Sequence, residues 1–297
     1  MIGVDWGTTQ LRAYQIDARG AVLASRSAPK GIMTVQNGAF AATLEAVIGD
    51  WLDQETEPIL MSGMIGSRQG WIEAPYVSCP AHPAQVAQAL AEVAWGSGRR
   101  GFVCPGLSCR DRDGVPDVMR GEEVQMFGAL DTLAGAAGSA ICHPGTHSKH
   151  VRIEDGAVAG FRTYMTGEVF AVLREHSILG RTMVEGPADW QAFDQGVARE
   201  SNSGGLLHHL FGARTRVLMN EIAPASEADY LSGMLIGHEI KAAGGSGPVL
   251  VVGAEALAER YERAFRLCGR EARALEGETA TVKGLRLIHD LARKAAS

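Results

Sequence analysis

The chain has 297 residues, 46% of them hydrophobic, with 28 Lys and Arg against 34 Asp and Glu for a net charge of −6. That balance excludes disordered, collagenous and coiled-coil classes, and the length predicts two domains or one large one. The acidic excess argues against a nucleic-acid partner, and the lone pair Arg99-Arg100 reads as a solvated loop. Glycine stands out at 37 residues, a surplus expected from tight turns or from backbone that must come close to a ligand. Five cysteines without a CxxC pair, and a strand-like start with no basic leader, read as free thiols in a reducing cytoplasm. No apolar run nears the ~20 residues that span a bilayer, so no membrane partner is expected.

Three short strands open the chain, at 2–6, 11–16 and, after the turn Asp17-Ala18-Arg19-Gly20, 21–25. A helix is predicted over 38–54, where Phe40, Leu44, Val47, Ile48, Trp51 and Leu52 share one face. Residues 58–62 read as a buried strand ending in the glycine-dense loop 63–70. A second helix is predicted over 84–94, a strand over 101–104 and a solvated polar loop over 110–117. The opening then recurs: strands at 139–143, 149–154 and 157–163 surround the turn Asp155-Gly156, and a helix begins near 167. Helices at 189–200, 226–243, 254–268 and 279–295 complete the chain with strands at 248–252 and 271–275. Ser226 and Asp229 form a capping-box pattern. Strands interleaved with helices predict an α/β fold.

A shift of 138 positions lays Gly7-Thr8 on Gly145-Thr146, Thr9-Gln10 on His147-Ser148 and Arg12 on His150. Two matched openings of three strands and a helix read as an internal duplication, two similar domains facing each other. A Gly-Thr-Thr turn presents backbone N–H groups and hydroxyls at its tip, which suits a phosphate. Two such turns facing each other would hold a nucleotide's phosphate chain from both sides.

Residues 4–9, Val-Asp-Trp-Gly-Thr-Thr, and 144–149, Pro-Gly-Thr-His-Ser-Lys, resemble the two phosphate loops of the actin, sugar kinase and heat-shock chaperone superfamily. Residues 61–67 (Met-Ser-Gly-Met-Ile-Gly-Ser), 118–123 (Val-Met-Arg-Gly-Glu-Glu), 163–168 (Thr-Tyr-Met-Thr-Gly-Glu) and 231–237 (Leu-Ser-Gly-Met-Leu-Ile-Gly) resemble signatures of the 2-dehydro-3-deoxygalactonokinase family. The resemblance runs from residue 2 to the last helix. It implies duplicated ribonuclease H-like (actin-like ATPase) domains around an interdomain cleft. Residues 1–117, completed by the helix 279–297, would form the sugar-acid side and 118–278 the nucleotide side. It further implies transfer of the ATP γ-phosphoryl to the 6-hydroxyl of 2-dehydro-3-deoxy-D-galactonate, with Mg²⁺. A kinase of another sugar acid or ketose, and a nucleotide switch without kinase activity, are the alternatives; a homodimer is left open.

The same resemblance assigns roles. Asp5 would orient hydrated Mg²⁺, a hard cation that takes oxygen ligands. Gly7, Thr8 and Thr9 would hold phosphate oxygens from one side and Gly145, Thr146, His147 and Ser148 from the other. An alcohol nucleophile calls for a carboxylate base, with Glu122 and Glu123 as candidates and Asp117 in reserve. Related sugar kinases carry Asp where Glu122 stands. Gly31, Gly66, Ser67 and Arg120 would meet the sugar acid, with Tyr164 or Arg162 from the other domain. Gly253, Ala254 and Leu257 resemble the superfamily's adenosine motif. A zinc reading of His143, His147 and His150 fails on the helix-breaking Pro144-Gly145 and on the lack of a neighbouring acid or thiolate. P-loop, dinucleotide-fold, hydrolase-elbow and zincin patterns do not occur in the sequence.

Overall fold

Buried apolar strands joined by amphipathic helices organise the chain into two units, described in a computed structural model over residues 1–53, 58–96, 98–133 and 140–296. The first comprises Met1–Ala134, Ile153–Phe161 and Gly277–Ser297, the second Gly135–Arg152 and Arg162–Glu276. The division therefore falls at residue 134 rather than at 117. The chain segment that follows 117 packs on the C-terminal helix, within the first unit.

In chain order the first unit holds β1 (Ile2–Trp6), β2 (Leu11–Ile16), β3 (Val22–Ala28), α1 (Phe40–Leu52), β4 (Ile59–Ser62), β5 (Tyr76–Ser78) and α2 (Pro83–Gln88). There follow β6 (Ala91–Trp95), β7 (Arg99–Val103), β8 (Gly106–Arg110), β9 (Pro116–Met119), α3 (Glu122–Gly128) and α4 (Leu130–Leu133). The second unit holds β10 (Ala140–His143), β11 (Ser148–Glu154), β12 (Ala157–Tyr164), α5 (Thr166–His176), α6 (Trp190–Ala198), α7 (Gly205–Leu218), α8 (Glu227–Ala243), β13 (Val249–Gly253), α9 (Glu255–Leu267) and β14 (Ala272–Glu276). The outer part of its β11–β12 hairpin groups with the first unit, as does the last helix, α10 (Gly277–Ala296).

One sheet runs β3-β2-β1-β4-β7-β6, another β12-β11-β10-β13-β14, and β5-β8-β9 form a small third. The duplication is visible in the pairing: β1 lies antiparallel to β2 and parallel to β4, and β10 lies antiparallel to β11 and parallel to β13. The turns differ by one residue. Asp5 faces Arg12 across its ladder, but His143 faces Lys149. Lys149, not His150, thus takes Arg12's place, and Ser148 takes that of buried Leu11.

Trp6, Leu44, Ile48, Trp51 and Met61 pack the first core; Phe193, Ile236, Val251, Tyr261 and Phe265 pack the second. The predicted ends at Gln54 and Ser139 lie outside the described residues. The helix expected over 84–94 stops at Gln88, because Ala91–Trp95 is a strand with Val93 and Trp95 turned inward and Glu92 and Ala94 outward. Pairing with β7 overrides the weak strand propensity of Ala and Glu. Arg99 and Arg100 lie on that partner strand, bonded to Glu45, Asp53 and Glu92. The expected loop 110–117 is the tip of a β8–β9 hairpin. The capping box does not form: Ser226 Oγ donates to Asp189 Oδ2, and Asp229 Oδ2 accepts from Asp189 N–H. Both side chains brace the start of α6 instead.

Candidate active site

In the first unit the end of β1 and the start of α3 are brought together by two glycines that meet back to back. Gly63 ends β4 at φ 97° and Gly121 precedes α3 at φ 105°, a left-handed region costly for any other residue. A Cβ on Gly121 would stand 3.0 Å from Gly63 Cα, and one on Gly63 would stand 3.2 Å from Asp5 Oδ1. This closeness brings the first turn of α3 to the end of β1. Glu122 there is half-buried, its Oε2 accepts from Arg120 N–H at 3.0 Å, and its charge reaches Asp5. Burial raises Asp5 to about 6, opposed by Arg12, whose Nη1 lies 3.7 Å from Asp5 Oδ2, and reinforced by Glu122. Two neighbouring carboxylates supply hard oxygen donors, and a hydrated divalent cation fits that donor set.

Glu123 is excluded as the base. It is fully buried, with Oε2 accepting from Gly121 N–H and Oε1 unbonded. Burial, aided by the charge of Glu122, pushes its carboxyl up to about 8, so it keeps its proton at neutral pH. Unfolded, it would release that proton near its ordinary value of 4.5. Between those limits the folded state binds one proton more, so stability falls as pH rises, by roughly 1.4 kcal/mol per pH unit. Glu123→Gln is expected to flatten the pH dependence of urea unfolding between pH 5 and 8, with kcat near the parent's. A slope unchanged from the parent would contradict the buried proton. The reserve candidate Asp117 sits on β9 with its carboxylate accepting from Val118 N–H.

The turn after β1 is internally committed. Gly7 N–H donates to Gln10 O, and the carbonyls of Gly7, Thr8 and Thr9 accept from Ile32, Met33 and Gly31. Gly7 therefore does not offer its N–H to a phosphate, whereas the side chains of Thr8 and Thr9 are exposed. Gly31 is a packing residue, since a Cβ there would stand 2.2 Å from Thr8 O. Gly66 makes room for Arg120: its Cβ would stand 2.9 Å from Arg120 Nη1. The Arg120 guanidinium lies over the Tyr76 ring at 4.3 Å, with Nη2 donating to Ala74 O at 2.8 Å.

The second unit encloses a cavity of about 920 Å³, within the range that holds a nucleotide-sized ligand. Pro144, Gly145 and Thr146 form one rim, joined by Thr166 and Gly167 at the start of α5, Ser232 on α8, and Ala254 and Leu257 on α9. Gly167 is needed where it stands: its Cβ would fall 2.4 Å from Gly145 O. That contact sets the N-terminus of α5 beside the Gly-Thr turn, where helix dipole and turn favour an anion together. Arg260, also in the lining, pairs with Asp229 at 2.7 Å and lies over the Trp190 and Phe193 rings.

Three expected nucleotide contacts lie elsewhere. Ser148 is fully buried and bonds Tyr261 OH at 2.8 Å, because the shorter turn puts it on the inward side of β11. His147 is exposed and bonds Glu168, outside the cavity lining. Gly253 is buried against Pro144 and does not line the cavity either. Tyr164 packs edge-on against the His150 ring, in the second unit with Arg162. Nor do the three histidines converge: His150 bonds Glu239 at 2.7 Å, and Cys142 Sγ lies 3.7 Å from the same ring nitrogen. An acid and a thiol thus do stand beside His150, supplied by α8 and β10. Both Glu239 oxygens are taken, one by His150 and one by Tyr261 OH, so the cluster is a filled hydrogen-bond network. Thr166, Gly167, Ser232 and Arg260 were not singled out from the sequence. The first three lie inside quoted motifs, which was the available signal.

A family model described as 2-keto-3-deoxy-galactonokinase matches residues 5–288. The chain belongs to the 2-keto-3-deoxy-galactonokinase family. It is 35% identical to the 2-dehydro-3-deoxygalactonokinase of Escherichia coli (strain K12), over 97% of this chain and 96% of that protein. A crystal structure of a Sinorhizobium meliloti protein provisionally named 2-dehydro-3-deoxygalactonokinase superposes with TM-score 0.88 at 37% identity, covering 99% of this chain and 98% of that one. The Acidaminococcus fermentans (R)-2-hydroxyglutaryl-CoA dehydratase component A shares the fold alone, with TM-score 0.51 at 12% identity over 100% and 99% of the two chains. The kinase thus has the duplicated actin-like α/β fold, and no helix among its described residues is long and apolar enough to cross a membrane.

Proposed function

We propose that this kinase transfers the γ-phosphoryl of ATP to the 6-hydroxyl of 2-dehydro-3-deoxy-D-galactonate. The observation that carries the reading is the carboxylate pair Asp5 and Glu122 at the end of β1, in a chain related over nearly its whole length to enzymes of that name. Glu122, at the first position of α3, accepts the proton of the attacking hydroxyl. Asp5, backed by Arg12, would hold a hydrated Mg²⁺. The metal would neutralise charge on the transferring phosphoryl oxygens. Thr8 and Thr9 offer hydroxyls to the phosphoryl group. Gly145, Thr146 and the start of α5 hold the phosphate chain of ATP, while Ala254 and Leu257 border the space for its nucleoside. Positioning and charge neutralisation supply most of the rate in such a transfer.

A coupled ADP-release assay over a panel of 2-keto-3-deoxy sugar acids and plain hexoses tests this. ADP release that requires the galactonate-derived acid is the expected result. Slow release indifferent to every sugar would overturn the reading in favour of a nucleotide switch, and stimulation by another sugar alone would reassign the substrate. We place the enzyme in the cytoplasm, which its five free cysteines fit. Sedimentation of the same preparation distinguishes a homodimer from a monomer.

A further inference from the structure

Arg120 carries a positive charge that the folded chain leaves unanswered. Of its five N–H donors, the one on Nε and the two on Nη1 are withdrawn from water and have no acceptor. Only Nη2 is bonded, to Ala74 O, and the ring of Tyr76 covers the guanidinium face. Among the described residues no carboxylate forms an ion pair with it. Ser67, next to the glycine that clears space for Nη1, also has a buried hydroxyl without a partner. Buried polar groups are ordinarily satisfied, and an uncompensated buried cation is among the costliest exceptions. Such a group is expected where a ligand supplies the missing anion.

We infer that Arg120, assisted by Ser67, receives the carboxylate of the substrate and is the residue that selects sugar acids over neutral sugars. This deepens the kinase reading and rests on it. The guanidinium is held from two sides, by the Ala74 carbonyl and the Tyr76 ring, so its orientation is set before substrate arrives. A planar guanidinium matches a carboxylate with two parallel hydrogen bonds, which a lysine ammonium cannot reproduce. Because the backbone N–H of Arg120 braces Glu122, replacing only the side chain leaves the base in place.

The test compares the sugar acid with its neutral counterpart, in which a hydroxymethyl group replaces the carboxylate. Arg120→Met is expected to lower kcat/KM for the acid by about 10²–10³-fold, mainly through KM, as loss of a bidentate charged contact does. Turnover of the neutral compound should stay within threefold, so the preference for the acid collapses. Arg120→Lys should recover part of the loss. A Met variant that loses acid and neutral turnover alike, or neither, overturns the inference. Should that variant fail to fold by circular dichroism, Gly66→Ala takes its place. Its added methyl displaces Nη1, so the KM for the acid should rise and that for the neutral compound should not; equal effects on both would overturn the inference. If the parent enzyme turns over no sugar acid, the kinase reading fails by itself. Calorimetric titration of the acid into parent and Met variant then still decides, with binding lost in the variant supporting the inference and equal binding refuting it.

Discussion

Glu122→Gln should lower kcat by roughly 10²–10⁴-fold while leaving ATP binding intact, as removal of a general base does. The geometry separates this carboxylate from its neighbour. Glu122 is half-buried at the first position of α3, and its charge reaches Asp5. Glu123, one residue later and about 100° further round the helix, is turned wholly inward. The Glu122 side chain is drawn back along the chain by the hydrogen bond from Arg120 N–H. Steady-state kinetics with saturating ATP, and calorimetric titration of a non-hydrolysable ATP analogue, check the prediction. A variant within several-fold of the parent would remove Glu122 from the chemistry.

Gly284→Ala is expected to destabilise the protein by about 3 kcal/mol, the upper range for overpacking a close contact. A Cβ at Gly284 on α10 would stand 1.8 Å from Val124 O on α3, and one at Gly128 on α3 would stand 1.9 Å from Ala280 O on α10. Each helix presents a glycine to the other's backbone, so neither can move aside by changing a rotamer. Any relief must part α3 from α10, and Val124 lies two residues after Glu122. The kcat is therefore expected to fall together with the thermal midpoint, while the ATP analogue, which we propose to bind in the cavity of the second unit, keeps its affinity. Calorimetric melting, kinetics and titration of one preparation decide it. A variant as stable as the parent would mean that the helices do not cross this tightly.

The order of the strands was legible from alternating apolar residues and turn glycines, because a period of two and a φ above zero are local properties. So were the two Gly-Thr turns, the Met-Arg-Gly-Glu-Glu run and the family they resemble. The failures share a cause. Ser148 read as a phosphate ligand because it lies in the motif that resembles a phosphate loop, whereas a turn one residue shorter than the first reverses which side of β11 faces in. Ala91–Trp95 read as helix because Ala and Glu favour helices, until pairing with β7 decided otherwise. Ser226 and Asp229 read as a local cap, yet their partner Asp189 lies 37 and 40 residues away.

By itself the sequence determined the fold class, the duplication and the family, all of which are written in short windows of residue type. The tertiary structure alone decided that, of two adjacent glutamates, Glu123 is the one turned wholly inward. It also left three donors of Arg120 without a partner, and set Thr166, Gly167, Ser232 and Arg260 around one cavity. Those outcomes depend on burial and on contacts between distant segments. Burial sets the charge of Glu123, and the crossing of α3 with α10 sets where Glu122 stands. No local pattern carries that information.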